Sequence, residues 1–259
     1  MKIAPKTTLR HIVLAVAAFT LAAPAVVATA SPLDWIGGEK VRGSGAVKQQ
    51  SRAVAGFNGL SLSLPAQVEL RIGNAEGITI ETDDNVLPLV ETVVEGGTLK
   101  IRPVKRNMSL QPSRLRIVVQ ARSVERLALG GSGSIRSDAL KGRKMDIDIG
   151  GSGSIDVKRI DADSLSVALG GSGNLTAGGG STRSLSLSIG GSGDVDLGRV
   201  ATGSANISVA GSGNATVWAR DSLDATIAGS GDVNYYGDPR ISRTVVGSGD
   251  VVRLAGSPK

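Results

Sequence analysis

The chain has 259 residues, with 29 Lys and Arg against 23 Asp and Glu, one histidine, no cysteine and an aromatic content of only 2%. The single His11 sits in a leader-like segment, so the chain without that leader has neither His nor Cys; this excludes a Ser-His-Asp triad, a cysteine nucleophile, imidazole or thiolate metal sites, disulfides and a lipidated cysteine. Three of the 29 bases also lie in the leader, leaving 26 against 23 acids, and a net charge of +3 gives no argument for nucleic acid.

Residues 1–30 read as a secretory signal: Lys2, Lys6 and Arg10 precede an apolar run from Ile12 to Val27, and Ala28-Thr29-Ala30 offers small residues for cleavage before Ser31. The run is too short and Ala-rich to favour a permanent span. The expectation is a chain exported through the inner membrane to the periplasm, cell surface or medium, with no transmembrane segment after signal removal. About 229 residues then remain, enough for one sizeable core, which must be aliphatic.

Residues 31–56 read as an extended N-terminal extension; they carry one Gly-Ser-Gly, at Gly43, outside any period. Residues 57–120 are β-rich but irregular, with alternating runs at Leu60–Leu64, Val68–Ile72, Ile78–Ile80, Leu99–Ile101 and Leu115–Val119. They are expected to form irregular early coils or a cap. Within them, 83–94 is expected to hold a short helical turn with Asp83 or Asp84 as N-cap, and Glu95-Gly96-Gly97 reads as a hairpin turn.

Residues 121–254 are a repeat, followed by a short tail at 255–259. Gly-Ser-Gly recurs with glycine pairs at Gly131/Gly133, Gly151/Gly153, Gly171/Gly173, Gly191/Gly193, Gly211/Gly213, Gly229/Gly231 and Gly247/Gly249, spaced by 20 residues four times and then by 18 twice. A flexible linker would have polar, aperiodic residues between the motifs. Instead Leu165, Val167 and Leu169 alternate with small residues before one motif, as do Leu185, Leu187 and Ile189 before the next, which is the pattern of a strand with one buried face. A second strand follows each motif, marked by Ile135, Ile155, Leu175, Val195, Ala215, Val233 and Val251.

The predicted fold is therefore all-β, a parallel solenoid in which two short strands per coil meet at a tight Gly-Ser-Gly turn and a longer loop closes the other edge. Seven such coils would rise roughly 34 Å at the usual strand spacing. Glycine suits stacked corners, where backbone crowds backbone. Arg243 takes the place held by Leu187 and Ile207 in earlier coils, the expected way to blunt a terminal rung.

Phe57-Asn58-Gly59-Leu60, the run from Glu81 to Leu87, Glu95-Gly96-Gly97-Thr98-Leu99-Lys100-Ile101 and the Gly-Ser-Gly ladder together resemble the bacterial head GIN domain, the auto-transporter adhesin head family. The resemblance covers roughly 57–254. It implies a two-sheet β-superhelix, similar in shape to pectin lyases but without their catalytic residues, and a role in cell adhesion. No functional residues are carried over with it.

Candidate sites are few. Calcium-binding repeats place an Asp where this chain has Val195, Ile135, Ile155 or Leu175, so Asp194, Asp232 and Asp250 read as turn residues, like Ser134, Ser154, Asn174 and Asn214. Ser132 and its copies lack a histidine to activate them. Outward carboxylates at Asp146/Asp148, Asp156 and Asp194/Asp196 are the only route to polysaccharide cleavage. From Lys100 to Arg126 eight bases face one acid, Glu125, making Lys100, Arg102, Arg114 and Arg116 candidate contacts for a polyanion such as acidic polysaccharide or lipopolysaccharide phosphate; the other reading is a charged edge that resists aggregation.

The sequence thus predicts a non-enzymatic binding or adhesion scaffold of the cell envelope, with no cofactor and no metal, whose partner is polysaccharide or another cell-surface component. The alternatives are a polysaccharide lyase or hydrolase, and a purely structural protein that self-associates through the solenoid ends as a homo-oligomer.

Overall fold

A computed structural model describes residues 39–256; the segment 1–30 expected to be a signal, with His11 and the expected cleavage before Ser31, lies outside the described residues. The chain opens with β1 (Lys40–Arg42) and β2 (Val47–Arg52). The irregular half then contains β3 (Gly59–Leu62), β4 (Gln67–Ile72), β5 (Gly77–Asp83), a 3-10 turn (Leu87–Leu89), β6 (Val90–Glu95), β7 (Thr98–Pro103), β8 (Ser109–Gln111) and β9 (Leu115–Ala121). The regular half runs β10 (Arg126–Gly131), β11 (Ser134–Ser137), β12 (Leu140–Gly151), β13 (Ser154–Val157), β14 (Ile160–Gly171), β15 (Asn174–Ala177), β16 (Gly180–Gly191), β17 (Asp194–Gly211), β18 (Ala215–Gly229), β19 (Val233–Tyr236), β20 (Arg240–Gly247) and β21 (Val251–Arg253).

Two long parallel faces result. Face A stacks β7, β3, β10, β12, β14, β16 and then the carboxyl-terminal halves of β17 and β18 before β20. Face B stacks β9, β4, β11, β13, β15 and the amino-terminal halves of β17 and β18 before β19 and β21. Because the register is exact from coil to coil, like residues stack on like. Leu127, Ile147, Val167, Leu187 and Ile207 form one buried column, and Ile135, Ile155, Leu175 and Val195 face it. Each contributes up to about 1.5 to 3 kcal/mol of burial.

The edge expected to be a loop is partly a third side. Leu140, Ile160, Gly180 and Val200 stack in register, and Leu140, Ile160 and Val200 are fully buried. This side also absorbs the shorter repeat: pairing of β17 with β18 skips from Leu197/Val217 to Ala201/Trp218, then from Thr202/Ala219 to Ser204/Ser222. Three residues are lost and one gained, a net shortening of two, while both ladders stay intact.

The two glycines of each corner serve different needs. The first, as Gly171 at φ 135°, sits in the region that side chains rarely adopt, and so do Gly131, Gly151, Gly191, Gly211, Gly229 and Gly247. The second lies under the preceding corner: a Cβ on Gly173 would stand 2.5 Å from the Gly153 carbonyl oxygen and 2.8 Å from the Ile149 side chain. Gly133, Gly153, Gly193, Gly213, Gly231 and Gly249 meet the same obstruction from backbone oxygens beneath them.

In the irregular half, spatial order departs from chain order. The coil made by β3 and β4 lies between β7/β9 on one side and β10/β11 on the other, although both neighbours come later in the chain. Beyond β9, face B continues with antiparallel β5 and then antiparallel β2, while antiparallel β6 extends face A beyond β7. The Glu95-Gly96-Gly97 turn joins β6 to β7, with Gly96 at φ 57° and Gly97 at φ 71°.

Within the N-terminal extension, β1 pairs with β8 and β2 with β5. One expectation is corrected here. The helical turn is confined to Leu87–Leu89 and its N-cap position is Val86, without a side-chain cap; Asp83 ends β5 instead. Val86 and Val90 are buried, and Arg52 holds this segment down by donating to the carbonyls of Leu87 at 3.0 Å and Val90 at 2.6 Å.

Candidate functional site

Asp83 has no measurable exposure, yet its carboxylate is fully engaged. It accepts from the Gly45 amide at 2.7 Å, the Ser113 amide at 2.7 Å and the Ser113 hydroxyl at 2.6 Å, and these donors, the hydroxyl foremost, hold its pKa below the ordinary range. Beside it Asp84 accepts from the Ser44 hydroxyl and Asn85 from the Ser44 amide, while Asn85 donates to the Arg42 carbonyl. The Asp-Asp-Asn of 83–85 thus grips the out-of-period Gly-Ser-Gly of 43–45. This is a structural lock with no open face for chemistry.

From Asn174 to Asp232 the residue after the corner accepts from the next coil, and Asp250 in the last corner accepts from its own neighbour Val251 at 2.7 Å. The Asn214 amide donates to Asp194 at 3.1 Å, the Asp232 amide to Asn214 at 3.1 Å and the Asp250 amide to Asp232 at 2.9 Å. The other outward carboxylates do not converge. Asp146 and Asp148 lie on face A and Asp156 and Asp196 on face B; Asp146 pairs with Lys144 at 3.0 Å. Among the described residues no three His, Cys, Asp or Glu side chains gather as a metal site.

The candidate basic patch divides. Lys100 and Arg102 project from β7 on face A, where Glu95 and Glu91 hold them at 2.6 Å each. Arg114 pairs with Glu81 at 3.0 Å beside face B. Arg116 makes no ion pair among the described residues and lines a groove on the outside of face B.

That groove, about 280 Å³, crosses β9, β4, β11 and β13, and a second concavity of about 210 Å³ adjoins it at Glu69, Arg71 and Arg116. Its walls are long charged side chains on neighbouring rungs. Arg71 pairs with Glu69 at 2.7 Å and Lys158 with Asp138 at 2.7 Å. Hydrogen bonding to the cation holds both carboxyls below their ordinary pKa and raises both bases. Arg136 stands in register between Glu69 and Asp156 without an ion pair to either. Arg71 and Arg136 were not among the sequence candidates: nothing in the chain shows that β4 stacks beneath β11.

Face A is different, lacking long side chains over its middle. Ser164, Ser184, Ser204 and Ser222 form one outward column, and Ser166, Ser186, Asn206 and Asp224 another, both in strict register.

A capped parallel β-solenoid with a filled aliphatic core, two flat outer faces and a charged groove is the class these features define. Residues 56–239 match the family described as "Putative auto-transporter adhesin, head GIN domain", and the chain belongs to that family. No curated protein matches the sequence. Similar solved structures include a putative lipid binding protein from Parabacteroides distasonis ATCC 8503, at 28% identity over 84% of this chain and 100% of that one, with a TM-score of 0.71. A putative adhesin from Bacteroides fragilis NCTC 9343 is 21% identical over 83% of this chain and 100% of that one, with a TM-score of 0.77. Another from Parabacteroides merdae ATCC 43184 is 20% identical over 84% and 100%, with a TM-score of 0.67. Among the described residues no helix is long and apolar enough to cross a membrane.

Proposed function

We propose that this chain is an exported, non-enzymatic scaffold of adhesion type in the bacterial cell envelope, and that its outer faces contact surface polysaccharide. The observation that carries the reading is the middle of face A, where short hydroxyl and amide side chains repeat on successive rungs of β14, β16 and β17. Such a surface offers donors and acceptors at the strand spacing of about 4.8 Å, suited to many weak contacts along an extended polymer. The family's description and the names of solved relatives support adhesion in general terms. The scattered outward carboxylates support a non-enzymatic role, since a glycosidase needs two of them facing one bond.

Whole-cell binding and a glycan array probed with the secreted protein test this. Saturable binding to envelope polysaccharide is expected; clean absence of binding in both assays, or turnover of a glycan lost on Asp146→Asn or Asp156→Asn substitution, would overturn it.

A further inference from the structure

We propose that the groove on the outside of face B binds a carboxylated saccharide, with Arg116 and Arg136 receiving its carboxylates. The proposal rests on the adhesion reading and names a ligand class for it. The groove owes its existence to side-chain length, because Arg, Glu and Lys wall it where β15 and its successors carry shorter residues such as Thr176 and Thr216.

Its charges largely cancel in pairs. Arg71 with Glu69 and Lys158 with Asp138 are internally satisfied, which leaves Arg116 and Arg136 against Asp156, two positive charges to one negative. A guanidinium presents a planar fork that matches a carboxylate, and a fork without a protein partner keeps all its donors for a ligand. Both arginines are exposed and both spring from strands paired on each side, so the backbone beneath them is fixed.

A local balance of one positive charge, with three carboxylates close by, suits singly charged uronates better than dianionic phosphates, which those carboxylates would repel. Ser134, Gln67 and Asp156 supply the neutral and acceptor groups that sugar hydroxyls require. The four rungs spanned cover about 14 Å at the usual strand spacing, the reach of a short oligosaccharide.

A purely structural role for these arginines makes a different prediction. Charged side chains that zip neighbouring rungs stabilise the fold, whereas these two have no partner to lose, so Arg116→Gln and Arg136→Gln are expected to leave the thermal midpoint unchanged. Calorimetric titration of the full chain with oligogalacturonate and with alginate oligomers is the test, beside neutral maltohexaose and phosphate-rich lipid vesicles. Binding of the carboxylated oligomers is expected, weakening as salt rises, with each substitution costing about tenfold in affinity. Equal affinity for maltohexaose, an unaffected double variant, binding to phosphate vesicles only, or a lowered thermal midpoint would each overturn the groove assignment. In those cases the adhesion reading stands if cells and neutral glycans are still bound; if no glycan and no cell is bound, both fall together.

Discussion

At its amino-terminal end the rod is covered on both faces, by β2 and β5 on face B and β6 on face A, with Arg52 drawn across to the carbonyls of Leu87 and Val90. At the other end the last described rung, β20 and β21, pairs on one side only, and all of β20 is exposed. Among the described residues Ile241, Val245, Val246 and Val252 are four of the seven exposed large hydrophobic residues, and they gather there. Arg243 occupies the column of Leu187 and Ile207 at this end and lies 3.8 Å from Asp250. One end hides its edge under antiparallel strands, whereas the other leaves it open and places a charge where an aliphatic would invite pairing. The difference teaches that capping takes either many contacts or one misplaced charge.

Both ends depend on the corners between them, so the largest effect is expected there. Gly173→Ala sets a methyl group against the Gly153 carbonyl, which belongs to the backbone and cannot yield; it should cost about 3 kcal/mol or more in denaturant unfolding. Gly170→Ala meets nothing within 4 Å and should stay within about 0.5 kcal/mol. Equal costs would show that crowding is not why the corner needs glycine.

Gly43→Ala tests the covered end alone. Its methyl group would overlap the Asp83 carboxylate, itself fixed by Gly45 and Ser113, so a loss of about 1 to 3 kcal/mol is expected. Hydrogen exchange should quicken in β2 and β5 while β12 to β18 stay protected. Uniform quickening would mean that cover and rod are one cooperative unit.

Acid probes the same lock more gently. Because the Asp83 pKa is lowered in the folded chain, its contribution is present above the unfolded value of about 3.9 and is lost as pH falls through the folded value. Exchange in β2 should therefore rise below about pH 4 before exchange in the regular coils does, and simultaneous loss would count against a local lock.

The smallest effect on stability but the clearest on assembly is expected from Arg243→Val. An exposed side chain is replaced, so the unfolding free energy should move by less than about 0.5 kcal/mol, while light scattering should show mass rising with concentration. A variant as monomeric as the parent would mean that the open rung is protected by something other than Arg243.

The ladders were legible because period-two alternation and a fixed repeat each follow from one chain segment. Ile135, Ile155 and Leu175 stack as their spacing indicates, and Arg243 falls in the column that its offset from the motif predicts. What stayed hidden depends on which segments meet. That β3 lies between β7 and β10 is written in no periodicity, so the neighbours of Arg136 were invisible and the groove with them. Asp83 looked like an N-cap because Asp before a short apolar run has that local meaning; its actual donors lie 38 and 30 residues away in sequence. Leu140 and Ile160 fall on the edge expected to be a loop, because a single inward residue per coil makes no alternation.

The place of β3 and β4 between later strands also sets an order in time. A solenoid whose coils stack in chain sequence can fold rung upon rung from its first coil, but here the first coil has no neighbour on either side until residues 98–121 and 126–137 have arrived. The coil of β3 and β4 is therefore expected to close with or after its neighbours, while the uniform coils can stack from β10 and β11 onward. Pulse-labelled hydrogen exchange during refolding should find amides of 59–72 protected no sooner than those of 98–121, and earlier protection would show that this coil folds without its neighbours.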